Sequence, residues 1–324
     1  MRVCIVGAGA IGGILAARLA YAGHDVSAIA RGAHLQAIQK RGLTLKAPGE
    51  QFTVDIRAAA DASELEPQDY VILTVKAPAL PGIAASLKPL LGPETVIVTA
   101  MNGVPWWFCH ALAGPLAGRS LSSTDPNGVL DETLTRERLL GCVVHAGASV
   151  PEPGVVNHAA GDLFIVGDAG RRMTAPATEL ADALAEAGLD GRSTDDIHGE
   201  IWKKLIGNIG MGPICALTGA TLLGLARDAD VRPIAAAMMQ EASNVGDALG
   251  LPMDMSVEAR IELGAELGEF KPSILQDLER GRPLEIDAMV TVVSEMGEIA
   301  GIQTPTVDTV LALLRGRARR AGLY

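Results

Sequence analysis

Aromatic residues make up only 3% of the 324 positions, so Ala, Val, Leu and Ile must fill whatever cores the chain builds. Positive charge is also scarce. Lys and Arg number 27 against 38 Asp and Glu, and the resulting net charge of −11 argues against a general nucleic-acid surface. No uninterrupted apolar run approaches the ~18 residues of a membrane span. The four cysteines, Cys4, Cys109, Cys142 and Cys215, form no Cys-x-x-Cys pair and show no metal-ligand spacing. They read as reduced, buried thiols of a cytoplasmic protein. The histidines form no ligand-like cluster, and no metal is expected.

What is present is concentrated at the start. An apolar run, residues 3–6, leads into Gly7-Ala8-Gly9-Ala10-Ile11-Gly12. A helical pattern follows over 11–22, then a second apolar strand over 26–29. This strand–turn–helix setting gives the glycine spacing its meaning. Gly7 permits a tight turn, Gly9 lets backbone approach a pyrophosphate, and Gly12 lets the helix lie close to the strand. Phosphate would sit at the helix N-terminus, where free N–H groups and the dipole favour negative charge. A secretory leader competes poorly, because three glycines interrupt its apolar core and Arg18 follows. A glycine turn with no ligand is the other alternative.

Roughly twenty positions beyond the glycines, an acidic residue would accept from a ribose hydroxyl and select NAD. Arg31 stands there instead. It either pairs with a 2′-phosphate, which means NADP(H), or is a solvated arginine at a strand end. Short strands are expected over 43–45 and 52–56, about the turn Pro48-Gly49. A buried strand over 70–75 ends in Lys76, which faces a ligand or merely caps the strand. The strand over 95–99 leads into Asn102-Gly103, a strand-end amide or an ordinary turn. Trp106-Trp107-Phe108 gathers three of the ten aromatics (three Trp, three Tyr, four Phe). They line a substrate pocket or pack between domains. Strands over 139–150 and 154–167 form an antiparallel hairpin through Pro151-Glu152-Pro153-Gly154. A helix over 175–187 stops at Gly188.

From about 195 the alternation gives way to helical periodicity. Helices are expected over 196–217, 221–225, 231–249, 257–267, 273–280, 285–300 and 304–321. The architecture is an α/β, Rossmann-type doubly wound sheet over 1–194, followed by an all-α domain over 195–324. The expected active site is the cleft between them.

The first long helix of the second half carries Lys204 and Asn208, four apart and on one face. Apart from Lys203, the residues from 201 to 213 are otherwise apolar or glycine, and unpaired polar groups among them need a reason. A lysine snorkelling past its neighbours is the alternative. Ser273 follows Pro272 and precedes a helix, and is either only an N-cap or a site residue. Glu285 and Asp287 follow a Gly–Pro turn and read equally well as first-turn acids.

Taken in order, Gly7 to Gly12, Arg31, Val75-Lys76, Asn102-Gly103, Trp202-Lys203-Lys204-Leu205 with Asn208, Ser273 to Asp277, Arg280 to Pro283, and Glu285-Ile286-Asp287 resemble the ketopantoate reductase family (2-dehydropantoate 2-reductases) over essentially the whole chain. The resemblance implies NADPH-dependent reduction of a 2-keto acid to a 2-hydroxy acid. It implies Lys204 as general acid and Glu285 as the acid that helps hold lysine and substrate. Asn102 and Asn208 become positioning amides, and Ser273 a substrate hydrogen-bonding residue. The glycine turn, Arg31 and Lys76 become coenzyme contacts, with Asn102 and Glu285 also at the coenzyme. A helical domain of this kind also suits a homodimer.

Three departures stand out. A family asparagine is replaced by Gly212, another by Phe270, and Ala288-Met289-Val290 replaces the usual Asn-Gly. Losing hydrogen-bonding amides shifts substrate preference. A more apolar 2-keto acid is one alternative to 2-dehydropantoate, and a non-catalytic NADP(H) sensor is another.

Overall fold

The computed structural model describes residues 1–134 and 137–324. Contacts divide the chain into two compact units, Met1–Met101 with Val129–Ile197, and Asn102–Gly128 with His198–Tyr324.

The first unit runs β1 (Arg2–Val6), α1 (Ala10–Tyr21), β2 (Asp25–Ile29), α2 (Gly32–Arg41), β3 (Leu43–Ala47), β4 (Glu50–Val54), β5 (Arg57–Ala59), β6 (Gln68–Leu73), α3 (Leu80–Ile83) and β7 (Leu91–Thr99). It resumes with α4 (Val129–Thr133), β8 (Leu139–Glu152), β9 (Val155–Asp168), α5 (Ala175–Glu186) and β10 (Asp190–Thr194). The strands form one sheet in the order β4-β3-β9-β8-β7-β6-β1-β2-β5, with β10 on β9. From β8 to β5 every pair is parallel. Parallel strands buried on both faces read as continuous apolar runs. Accordingly, Val3 to Val6 and Tyr70 to Leu73 are all buried. The chain steps outward from β1 to β2 and β5, then crosses back to β6. This reversal is the place where open α/β sheets bind ligands.

The second unit holds α6 (Ile197–Thr218), α7 (Leu222–Arg227), α8 (Arg232–Ala248), α9 (Val257–Ala265), α10 (Ser273–Glu279), α11 (Val292–Ala300) and α12 (Pro305–Arg320). Ser256 caps α9 by accepting from Ala259 N–H, and Thr221 caps α7. The Glu241 carboxylate accepts from the N–H groups of Thr306 and Val307 at the start of α12.

Four features differ from the sequence expectation. α2 buries only Ile38, so it offers no apolar stripe to read. β5 and β10 are short, and the polar run of β10 carries no strand signature. The helix expected over 285–300 begins as a π-helical turn, Asp287–Thr291. Finally, the first domain is not continuous through 194, because residues 102–128 group with the helices. Glu295 of α11 holds that excursion, accepting from Ser122 N–H at 2.8 Å, Ser122 Oγ at 2.9 Å and Ser123 N–H at 3.0 Å.

All four cysteines are buried, and none forms a disulfide with a described residue. Burial pushes the Cys4 thiol up to about 11, and those of Cys109 and Cys215 up to about 12. The reactive thiolate is therefore scarce at neutral pH. A chromogenic disulfide reagent should titrate almost no thiol in the native protein and all four in denaturant. A fast native thiol would contradict this packing. Among the described residues, no helix is long and apolar enough to cross a membrane.

Candidate active site

In the first unit, three glycines of the β1–α1 turn have three different steric reasons. Gly7 has φ +101°, a region that favours glycine, and a Cβ there would lie 2.8 Å from Val75 Cγ1. A Cβ on Gly12 would collide with the Gly7 carbonyl oxygen and with Thr74 Oγ1. Gly9 is the opposite case, since nothing lies within 4 Å of a Cβ placed there. The turn is thus packed from below and open where a pyrophosphate would approach. Thr74 Oγ1 fixes it by donating to Gly7 O at 2.6 Å. His34 ties it from the side. Its Nδ1 accepts from Gly154 N–H at 3.0 Å, so its Nε2 carries the proton donated to Ala8 O at 2.7 Å.

The N-terminus of α1 has no side-chain cap and no acidic residue in its first turn. Its free N–H groups and dipole therefore suit an anion. These features fit a dinucleotide. Val75 touches Gly7, and Lys76 follows as the residue capping the short turn Ala77–Ala79, at the same end of the sheet. Arg31 is exposed at the N-cap position of α2 and makes no ion pair with any described residue.

In the second unit, the Lys204 ammonium donates to Asn102 Oδ1 at 2.9 Å. Lysine only donates, so the oxygen of the Asn102 amide faces it and the NH₂ points elsewhere. The neighbouring Gly103 has φ +82°, and a Cβ there would overlap the backbone of Ala288. Val104 N–H also donates to Ala288 O at 2.8 Å. The Asn102 turn is therefore bonded to α6 on one side and stitched to the segment carrying Glu285 on the other. Glu285 itself is buried, 9% exposed. A Cβ on Gly103 would also lie 3.1 Å from the Cβ of Ala288, the position where the family pattern has asparagine.

That segment is fastened from behind. Leu284 N–H donates to Leu323 O at 3.1 Å. The Asp287 carboxylate accepts from Thr291 Oγ1, Tyr324 Oη and Arg315 Nη2 at 2.7, 2.8 and 3.2 Å. Asp287 thus belongs to this clamp rather than serving only as a first-turn acid.

Asn208 is partly exposed and makes no hydrogen bond with any described residue. Ser273 is not an N-cap. Pro272 takes the cap position with extended backbone, and Ser273 becomes the first, exposed residue of α10. A Cβ on Gly212 would lie 3.2 Å from Ile274 Cγ2, so an isoleucine methyl crowds the place where the family pattern has an amide. Phe270 is 43% exposed. Trp106, Trp107 and Phe108 are buried, with Phe108 and Trp107 against His198 and Phe108 stacked on Trp202. These rings are core, which sets aside the pocket-wall alternative in favour of packing.

The sequence reading passes over one residue. Arg260 of α9 lays its guanidinium against Gly207 of α6 and makes no ion pair or hydrogen bond with any described residue. Burial draws its guanidinium below the usual arginine value. In Glu258-Ala259-Arg260-Ile261-Glu262 nothing distinguishes it from a solvated surface arginine.

Comparison with known proteins gives a consistent picture. The family described as "Ketopantoate reductase PanE/ApbA" matches residues 3–107, and its C-terminal counterpart matches 196–318. A 2-dehydropantoate 2-reductase of Mesorhizobium japonicum is 46% identical, with both chains covered in full. A crystal structure of a Ralstonia solanacearum MolK2 protein, itself only provisionally named a ketopantoate reductase, superposes with TM-score 0.94. It is 44% identical, covering 100% of this chain and 99% of that one. The 2-dehydropantoate 2-reductase structure from Geobacter metallireducens GS-15 has TM-score 0.84 and 30% identity, covering 98% and 99%.

Proposed function

The chain belongs to the ketopantoate reductase family, and from that premise we propose that it reduces 2-dehydropantoate to pantoate with NADPH. The observation that carries this reading is the Lys204 ammonium held by Asn102. In this reading the first domain, taken as 1–194, holds the coenzyme, and the helical domain, 195–324, holds the keto acid. Contacts group 102–128 with the helices, so Asn102 serves from that second part.

The glycine turn, Gly7 to Gly12, would cradle the pyrophosphate, Arg31 the 2′-phosphate, and Lys76 a further coenzyme group. When bound, the coenzyme supplies hydride to the ketone carbon. Negative charge then develops on the ketone oxygen. The Lys204 ammonium stabilises it and donates a proton, leaving a neutral amine that recovers its proton from water. One of its three N–H bonds goes to Asn102, which aims the group without consuming it. Glu285 and Asn208 complete the positioning, with Ser273 as a substrate hydrogen bond. No metal is invoked. The reading includes a homodimer through the helical domain and a cytoplasmic location.

A second reading has a specific observation behind it. Ile274 beside Gly212 makes that part of the helical unit less polar than the family pattern, which favours a more apolar 2-keto acid. The test is NADPH oxidation, followed by near-ultraviolet absorbance, with a panel of 2-keto acids. The expected result is the highest kcat/KM with 2-dehydropantoate. A higher value with a branched or aromatic 2-keto acid favours the second reading. Tight NADPH binding with no turnover on any member would make the chain a sensor.

A further inference from the structure

Arg260 and Gly207 form a built feature. A Cβ on Gly207 would overlap the Nη2 and Cζ atoms of Arg260 and lie 2.6 Å from its Nε, so only glycine leaves room for the planar cation. One turn along, the relation is reversed. Met211 of α6 rests against Gly264 of α9, where a Cβ would lie 2.5 Å from Sδ. These two reciprocal notches hold the helices in register and fix where the guanidinium sits. The acid two positions on, Glu262, is already taken by Arg227 at 2.9 Å and Arg232 at 3.3 Å. Arginine remains charged at any accessible pH. A half-buried guanidinium with no anion beside it among the described residues is unfavourable until one arrives.

Its position says which anion. Gly207 lies one turn beyond Lys204 and next to Asn208, and residues three apart on a helix have Cβ atoms about 5–6 Å apart. Lys204 and Asn208 share one face of α6, and the glycine notch holds the Arg260 guanidinium at the edge of that face, three positions from Lys204.

We propose that Arg260 is the residue that takes the carboxylate of the 2-keto acid, in a two-pronged pair that turns the ketone toward Lys204. This rests on the reductase reading and names the group by which its substrate is recognised. A planar fork matches a carboxylate in geometry as well as charge. The assignment also accounts for the amides lost at Gly212 and Phe270, because a guanidinium does the anchoring that amides would otherwise share.

The test uses Arg260→Gln, Arg260→Lys and Gly207→Ala in the full chain. Arg260→Gln should raise KM for 2-dehydropantoate by about 50-fold, as for a lost charged bidentate pair, with KM for NADPH within about twofold. Arg260→Lys keeps the charge without the fork and should recover only part of the loss. Gly207→Ala favours the helix, so it should fold, yet it displaces the guanidinium. It should raise the same KM by a similar factor and add little to Arg260→Gln. Calorimetric titration of pantoate into the NADP⁺-saturated protein reads the same loss without turnover. Keto-acid KM and pantoate affinity unchanged in Arg260→Gln and in Gly207→Ala, with wild-type turnover intact, would overturn the Arg260 assignment and leave the reductase reading standing. A wild type that neither reduces nor binds any 2-keto or 2-hydroxy acid would overturn both.

Discussion

Lys204→Ala should lower kcat by about 10³-fold while leaving NADPH affinity within about twofold. A positioned general acid contributes on the order of 10²–10⁴-fold, and removing one donor to a developing oxyanion costs about 10²–10³-fold. Lys204 is proposed to do both with the same ammonium, so the loss belongs in the upper part of that range. Folding should survive. The hydrogen bond to Asn102, made by a charged group, is worth about 1.5–3 kcal/mol, and alanine favours the helix. Steady-state kinetics beside a fluorescence titration of NADPH checks both halves. Unchanged turnover would remove Lys204 from the chemistry, and a parallel loss of coenzyme binding would make it a structural residue.

Arg31→Ala should lower kcat/KM for NADPH by about 10²-fold and that for NADH by less than about threefold. A hydrogen-bonded pair between charged groups is worth about 1.5–3 kcal/mol, and each 1.4 kcal/mol is tenfold. The position suits a phosphate for a second reason. Arg31 is the N-cap of α2, whose first turn has no acidic residue and no side-chain cap. The helix N-terminus and the guanidinium therefore attract the same anion. The side chain is exposed, so the preference for NADPH should shrink as ionic strength rises. Equal losses with both coenzymes would assign Arg31 to something other than the 2′-phosphate.

The coenzyme turn was legible in the sequence because its requirements are local. Gly7, Gly9 and Gly12 keep a fixed spacing within one strand–turn–helix unit, so the turn could be read there, although Gly7 and Gly12 also pack against Val75 and Thr74 beyond the end of β6. Lys204 was legible as a polar residue on an apolar helix. Its partner was not, because Asn102 lies 102 positions away and no local period connects the two. The same holds for the excursion 102–128, which is tied to distant residues of the helical unit, among them Glu295, Lys204 and Ala288. Trp106 to Phe108 left two readings open because a cluster of rings reads alike as a wall or as packing. The surrounding His198 and Trp202 make it core. Arg260 was invisible for a sharper reason. Its meaning comes from the absence of a side chain at Gly207 on another helix, and glycines inside helices carry no label saying what they make room for.

Lys204 is proposed to give a proton rather than only a charge. Adding small amines to the Lys204→Ala protein separates the two roles. The rate should rise in proportion to the concentration of protonated methylamine or ethylamine. Tetramethylammonium, which carries the charge without an N–H, should restore little. Equal rescue by tetramethylammonium would contradict proton donation and reduce Lys204 to an electrostatic role.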